Sequence, residues 1–312
     1  SESTGWQLVP GGKYYLTRGE SALIAFRIPQ CTPKGFLMSA SHADRPCFKL
    51  KENGELVGTY TKLAVERYGG MLMGTWLDRP LSIAGRVLVE TDKGMETRLV
   101  NIDRDLLLIP NVAIHMNRSA NEGYKWNPAV DMLPMLGGED AKGKLEGVLQ
   151  KQVKGKILGH DLYLYVRQPA SVWGLEEEFI SAPALDDLMC AWGCTQGFLK
   201  AEKSEAISVL CVFDSEEVGS SSLQGAASDL LEATLSRICG CLNLSFIKAS
   251  KAHCLLEFSH CVGRIYRFAH KIMQSVHNEI DSVRYEVSQN AFENCEAVTC
   301  LFSSSFEVSE II

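Results

Sequence analysis

Residues 206–213 read AISVLCVF, an almost unbroken apolar run rich in β-branched residues. That is the pattern of a strand covered on both faces. The same texture opens the chain, where KYYLTR, SALIAFRI (21–28) and GFLMSA (35–40) are strand-like runs. Turn chemistry at residues 10–12 and 33–35 separates them. From about residue 51 to residue 167 the runs become short and β-like, as in GRVLVE, TRLVNI and DLYLYV, with Gly and Pro between them. This middle block is expected to be a separate, mostly β unit. Within it NEGYKWNPAVDMLPMLGGED (121–140) reads as a long functional or interface loop.

After about residue 168 helical spacing returns. LDDLMCAW starts a helix, and Leu223, Ala226, Ala227, Leu230, Leu231, Leu235, Ile238 and Leu242 recur on one face. The spacing predicts an amphipathic helix over residues 222–242, preceded by serines suited to capping. An α/β domain interrupted by a β insertion is the simplest architecture.

Composition narrows the classes. The chain of 312 residues is 46% hydrophobic and 22% charged, with a net charge of -7 and its basic residues dispersed. Neither a nucleic-acid surface nor a polybasic membrane patch is expected from that balance. No apolar run reaches the roughly 18 residues of a membrane span. The opening SESTGWQLVPGG has no basic start and no apolar signal core, and is read as the interior of a longer chain. Eleven cysteines, several in apolar runs and none in a CxxC pair, suggest buried thiols in a reduced, cytoplasmic compartment.

Three acids follow the strand 206–213 at once: Asp214, Glu216 and Glu217. Carboxylates at the end of a buried strand call for solvent or a compensating cation. Open α/β sheets place ligands beyond the carboxyl ends of their strands. Two other strand ends carry metal-type ligands: GFLMSA leads into SHADRP with His42 and Asp44, and EEFISAPAL leads into Asp186 and Asp187. Singly, each has an ordinary structural reading, a hydrogen-bonded histidine or an acidic helix start. Together they match a zinc or paired-metal hydrolase. In H-x-D the acid can hold the imidazole's second N–H, and adjacent glutamates can divide into a metal ligand and a base.

These segments carry a resemblance. SASHADRPCFKLK (39–51), SAPALDDLMC (181–190) and FDSEEVGSSSLQGAAS (213–228) resemble the aspartyl aminopeptidase/aminopeptidase I family of dinuclear zinc metallopeptidases. RYGGMLMGTWLDRPLSIAGRVL and LLLIPNVAIHMNR resemble that family's inserted dimerisation domain, and the similarity runs from about Gly5 to Leu242. The resemblance implies a three-layer α/β catalytic domain over residues 1–55 and 166–312, interrupted by a mostly β dimerisation domain over 56–165. It implies His42, Asp186 and Glu217 as ligands of two divalent ions, zinc with manganese or cobalt as substitutes. Asp44 would orient His42, Glu216 would be the general base, and His115 would reach a neighbouring subunit's substrate pocket. Peptide substrates, removal of N-terminal and in some relatives acidic residues, and a homo-oligomer of dimers built up to a dodecamer follow from the same resemblance.

Two further ligands of the family, an aspartate in a segment like SADMAHAxHPNY and a histidine in an MHS-type motif, have no counterpart here. Residues 245–312 read as a divergent or truncated tail. In that tail His253, His260, His270 and His277 fall in a run with roughly helical spacing of Leu255, Leu256, Phe258, Val262, Ile265, Tyr266 and Ile272. One alternative is a truncated or frame-shifted, catalytically impaired chain acting as an assembly partner. Another is a tetrahedral glutamyl aminopeptidase, against which stands the HADRPCFKLK context.

Overall fold

The computed structural model describes residues 4–201 and 204–244, together with the backbone of residues 253–257. In chain order its strands are β1 (Lys13–Arg18), β2 (Ala22–Arg27), β3 (Phe36–His42), β4 (Cys47–Leu56), β5 (Tyr60–Tyr68), β6 (Leu81–Thr91), β7 (Gly94–Asn101), β8 (Met135–Gly138), β9 (Lys156–Val166), β10 (Ser171–Trp173), β11 (Phe179–Ser181), β12 (Ile207–Phe213) and β13 (His253–Glu257). The helices are α1 (Pro128–Asp131), α2 (Lys144–Gln150), α3 (Leu185–Lys200) and α4 (Leu230–Cys241).

The outer strands of the chain form one mixed sheet, ordered β1-β2-β12-β3-β13. β12 and β13 both run parallel to β3, while β2 joins β12 antiparallel. Alternation sorts the side chains into layers, because successive residues of a strand point to opposite faces. Phe36, Met38 and Ala40 of β3 and Ile207, Val209, Cys211 and Phe213 of β12 join one core with Leu230, Leu231, Leu235 and Ile238 of α4. On the other face α3 packs against β3 and β12, burying Ala191 and Cys194 outside that core. Helix, sheet and helix therefore stack as three layers, the α/β arrangement expected.

The middle of the chain makes a second sheet, ordered β7-β6-β9-β4-β5-β8 and antiparallel throughout. It has its own core, including Phe48, Leu63, Ile83, Val87, Leu162 and Leu164. β4 belongs to this sheet from Cys47 onward, so the six-stranded sheet takes up residues before the change of texture near residue 51 and before the 55/56 boundary that the resemblance implies. The reason is that no turn residues separate the HADRP loop from FKLK, and the chain passes from one sheet straight into the other.

Other expectations need correction. Helix α4 starts at Leu230, and residues 222–229 are turns. Gly225 packs there so closely that a Cβ would lie 2.2 Å from the Ser220 carbonyl oxygen, and Ala227 N–H donates to that same carbonyl. Those backbone bonds outweigh the helical spacing of Leu223 and Ala226; Ser228 Oγ then accepts the Leu230 N–H at 3.2 Å. The segment 121–140 is more ordered than a loop, since Asn127 caps α1 and β8 pairs with β5. Residues 253–257, read as part of a helical run, form β13 beside β3. A short apolar run satisfies either period, and the open edge of β3 supplies strand hydrogen bonds. His260, His270, His277 and the rest of that run lie outside the described residues.

Candidate metal centre

His42 is the last residue of β3 and is paired in register with Phe213, the last residue of β12. The Ala43 N–H still donates to the Phe213 carbonyl at 2.9 Å. Beyond that bond the two parallel strands part. One continues into Asp44 and the other into Asp214–Glu217, so both motifs emerge at the same sheet edge, where α/β folds gather ligands. The second turn is tight: Ser215 has φ +62° and Gly219 φ +100°, and Ser220 N–H donates to Ser215 O at 2.7 Å.

Asp44 organises this edge. Its Oδ1 accepts the Glu216 N–H and its Oδ2 the Glu217 N–H, both at 3.1 Å, while the Tyr68 hydroxyl donates to Oδ2 at 2.9 Å. Burial pushes the Asp44 carboxyl up, but the bonds from His42, Tyr68 and the two backbone N–H groups outweigh it and hold it below the ordinary aspartate range.

The His42 ring is buried, with Nδ1 3.0 Å from the Asp44 carbonyl oxygen and 3.3 Å from its Oδ1. A carbonyl only accepts, so Nδ1 carries a hydrogen, which in the neutral form of the ring leaves the Nε2 lone pair free. Nε2 faces acids: Asp186 Oδ1 at 3.4 Å, Asp187 Oδ2 at 3.9 Å and Glu216 Oε2 at 4.0 Å. Burial pulls the imidazole down, yet the Asp44 bond and the charges of Asp187, Asp44 and Glu216 push it up to about 9.

Ligand atoms of His42, Glu216 and Glu217 all lie within 4.8 Å of one another. Burial and then the Glu216 charge push the Glu217 carboxyl up to about 7, against the pull of His42. This crowding is the physical sign that the cluster lacks positive charge. One imidazole nitrogen with carboxylate oxygens is also the donor set that zinc accepts. The residues present therefore fit a divalent ion.

Asp186 and Asp187 arrive at the start of α3 with non-helical backbone. Asp186 is 83% exposed beside the imidazole, whereas Asp187 is 1% exposed and accepts the His42 N–H at 2.9 Å. Its inward orientation had no distinguishing signal beyond adjacency to Asp186. Tyr68 was likewise invisible as a site residue, because it arrives from the six-stranded sheet. His115 lies in an exposed turn, where Ala113 O accepts the Met116 N–H. No hydrogen bond or ion pair among the described residues joins it to the cluster.

Comparison with known proteins agrees in sequence and in structure. Residues 1–257 match the family described as aminopeptidase I zinc metalloprotease (M18). The chain is 43% identical over 250 residues to "Probable M18 family aminopeptidase 2" of Clostridium acetobutylicum, covering 76% of this chain and 58% of that protein. Among solved structures, mApe1 of Chaetomium thermophilum superposes with a TM-score of 0.69 at 31% identity, over 83% of this chain and 62% of that one. The S. cerevisiae mApe1 dodecamer gives 0.67 at 25% identity, over 78% and 59%. The chain thus spans less than two thirds of the length of these relatives. With HADRP, DD and EEVG converging on one sheet edge and the family match running through all three, the chain belongs to the aminopeptidase I (M18) family of zinc metalloproteases.

Proposed function

We propose that this chain is a metal-dependent aminopeptidase that removes N-terminal residues, acidic ones among them, from peptides. The observation that carries the reading is the His42–Glu216–Glu217 cluster, with its ligand atoms within 4.8 Å of one another at the carboxyl ends of parallel strands. His42 and Glu217 would each hold one of two divalent ions, with Asp186 as a further carboxylate ligand. Zinc is the first choice, with manganese or cobalt as substitutes. Such ions supply Lewis acidity toward the scissile carbonyl and lower the pKa of attacking water. Asp44 keeps the His42 Nε2 aimed at the site through its contacts with Nδ1. Glu216 accepts the proton from water and returns it to the leaving amine. His115 would act in a neighbouring subunit's substrate pocket. That role fits a homo-oligomer such as the mApe1 dodecamer to which the chain is similar. The thiols fit a reducing cytoplasm: burial pushes Cys211 up to about 12 and Cys194 up to about 11, so both pack as apolar groups.

The test is to purify the chain, titrate zinc, manganese and cobalt, and assay Asp-, Glu- and Leu-anilide hydrolysis. Near-stoichiometric metal uptake with turnover is the expected result. A chain that neither binds metal nor hydrolyses any of the three is not an active enzyme.

A further inference from the structure

Tyr68 ends β5, a strand of the six-stranded sheet, yet its hydroxyl touches the metal-site loop of the other sheet. Its ring packs against the second core, edge-on to Tyr163 at 5.6 Å between centroids and 81° between planes. Tyr163 in turn lies under the Lys49 ammonium, 5.7 Å from its ring centre. Lys49 pairs with Asp161 at 2.6 Å, and Asp161 also holds Arg86, which donates to the Gly19 carbonyl of the first sheet. The ring is thus clamped from one side while the hydroxyl projects across the junction. There it donates to Asp44 Oδ2 at 2.9 Å.

The next residue closes on the same site. Gly69 has φ +79°, and a Cβ there would sit 2.9 Å from the Glu217 Cβ and 3.3 Å from its carbonyl oxygen. Only glycine lets the β5 end approach this closely without displacing Glu217.

We propose that Tyr68 is a positioning residue for the metal centre, its hydroxyl holding the Asp44 carboxylate that orients His42 and anchors the backbone of Glu216 and Glu217. This rests on the reading that His42, Glu216 and Glu217 take a metal. A tyrosine serving only as core packing would be replaceable by phenylalanine without consequence at the site. Loss of the hydroxyl instead leaves Asp44 with one fewer donor and freer to turn. Partners of this kind govern metal affinity by factors of roughly 10–100.

The experiment titrates Co2+ into the full chain and follows visible absorption for wild type, Tyr68→Phe and His42→Ala. Tyr68→Phe should weaken Co2+ affinity by about tenfold and alter the absorption band, while His42→Ala should abolish the band. Wild-type affinity and an unchanged band in Tyr68→Phe would overturn the proposal. Thermal midpoints of the metal-free chain are measured in parallel for Tyr68→Phe, Asp44→Asn and the double variant. Coupling requires the double variant's shift to fall short of the sum of the two single shifts; additive shifts overturn the contact itself. A wild-type chain that takes up no Co2+ removes the metal reading and the role of Tyr68 in metal binding with it, while the thermal cycle still judges the hydroxyl–carboxylate contact on its own.

Discussion

Glu216 and Glu217 are neighbours in sequence and neighbours at the site, yet they meet different surroundings. Both backbone N–H groups are fixed by Asp44. Burial, and then the Glu216 charge beside it, push the Glu217 carboxyl up to about 7. A divalent cation placed among these oxygens would reverse that logic and keep Glu217 ionised. If Glu216 is the proton shuttle, Glu216→Gln should lower kcat by about 10²–10⁴-fold while leaving metal content unchanged by elemental analysis. Full activity in that variant would remove Glu216 from the role of base. Asp44→Asn should act earlier in the chain of causes, weakening zinc affinity by roughly 10–100-fold in a competitive chelator titration.

Helix α4 and strands β4, β6 and β9 show how the two sheets are held. Leu235 sits on the buried face of α4 at 4% exposure, packed in the core beneath β12. Leu235→Ala should cost about 2–5 kcal/mol in denaturant unfolding, without altering the six-stranded sheet's own core. In that sheet Asp161 of β9 bridges Lys49 of β4 and Arg86 of β6. Burial raises the Asp161 carboxyl, but the bonds from Lys49 and Arg86 outweigh it and lower its pKa. A lowered folded-state pKa contributes stability that is present above the unfolded value of about 4 and is lost as pH falls through the folded value. The wild-type thermal midpoint should therefore drop below about pH 4 more steeply than that of Asp161→Asn, as thermal scans across the acid range would show.

Across the molecule, the two cores meet where function is expected. The first sheet supplies His42, Asp44, Glu216 and Glu217, and the second supplies Tyr68 and Gly69. Metal bound to the folded chain alone shifts the folding equilibrium by mass action. Zinc at about 100 times its dissociation constant should add about 2.7 kcal/mol and raise the thermal midpoint, and a chelator should reverse the gain. A midpoint indifferent to both additions would contradict a site built into the native fold. Among the described residues no helix is long and apolar enough to cross a membrane.

His42, Asp44, Glu216 and Glu217 could be singled out as candidates before any coordinates, because they directly follow the apolar runs that become β3 and β12. Asp186 was singled out on the same argument, but it follows the exposed β10-β11 pair, a separate sheet, and opens α3. The division into an outer α/β part and a β-rich middle was legible for a similar reason, since periodicity and turn residues are local properties. The start of α4 was not, because Gly225 packs against Ser220 through backbone contacts that periodicity does not encode. Nor was the strand at residues 253–257, which owes its form to the open edge of β3. The buried orientation of Asp187 and the reach of Tyr68 across the junction were decided only by packing. Tyr68 and Asp44 are 24 positions apart, Tyr68 at the end of a strand of one sheet and Asp44 in the loop that leaves the other. Which hydroxyl meets which carboxylate depends on how two separately formed cores dock, and no local pattern carries that information.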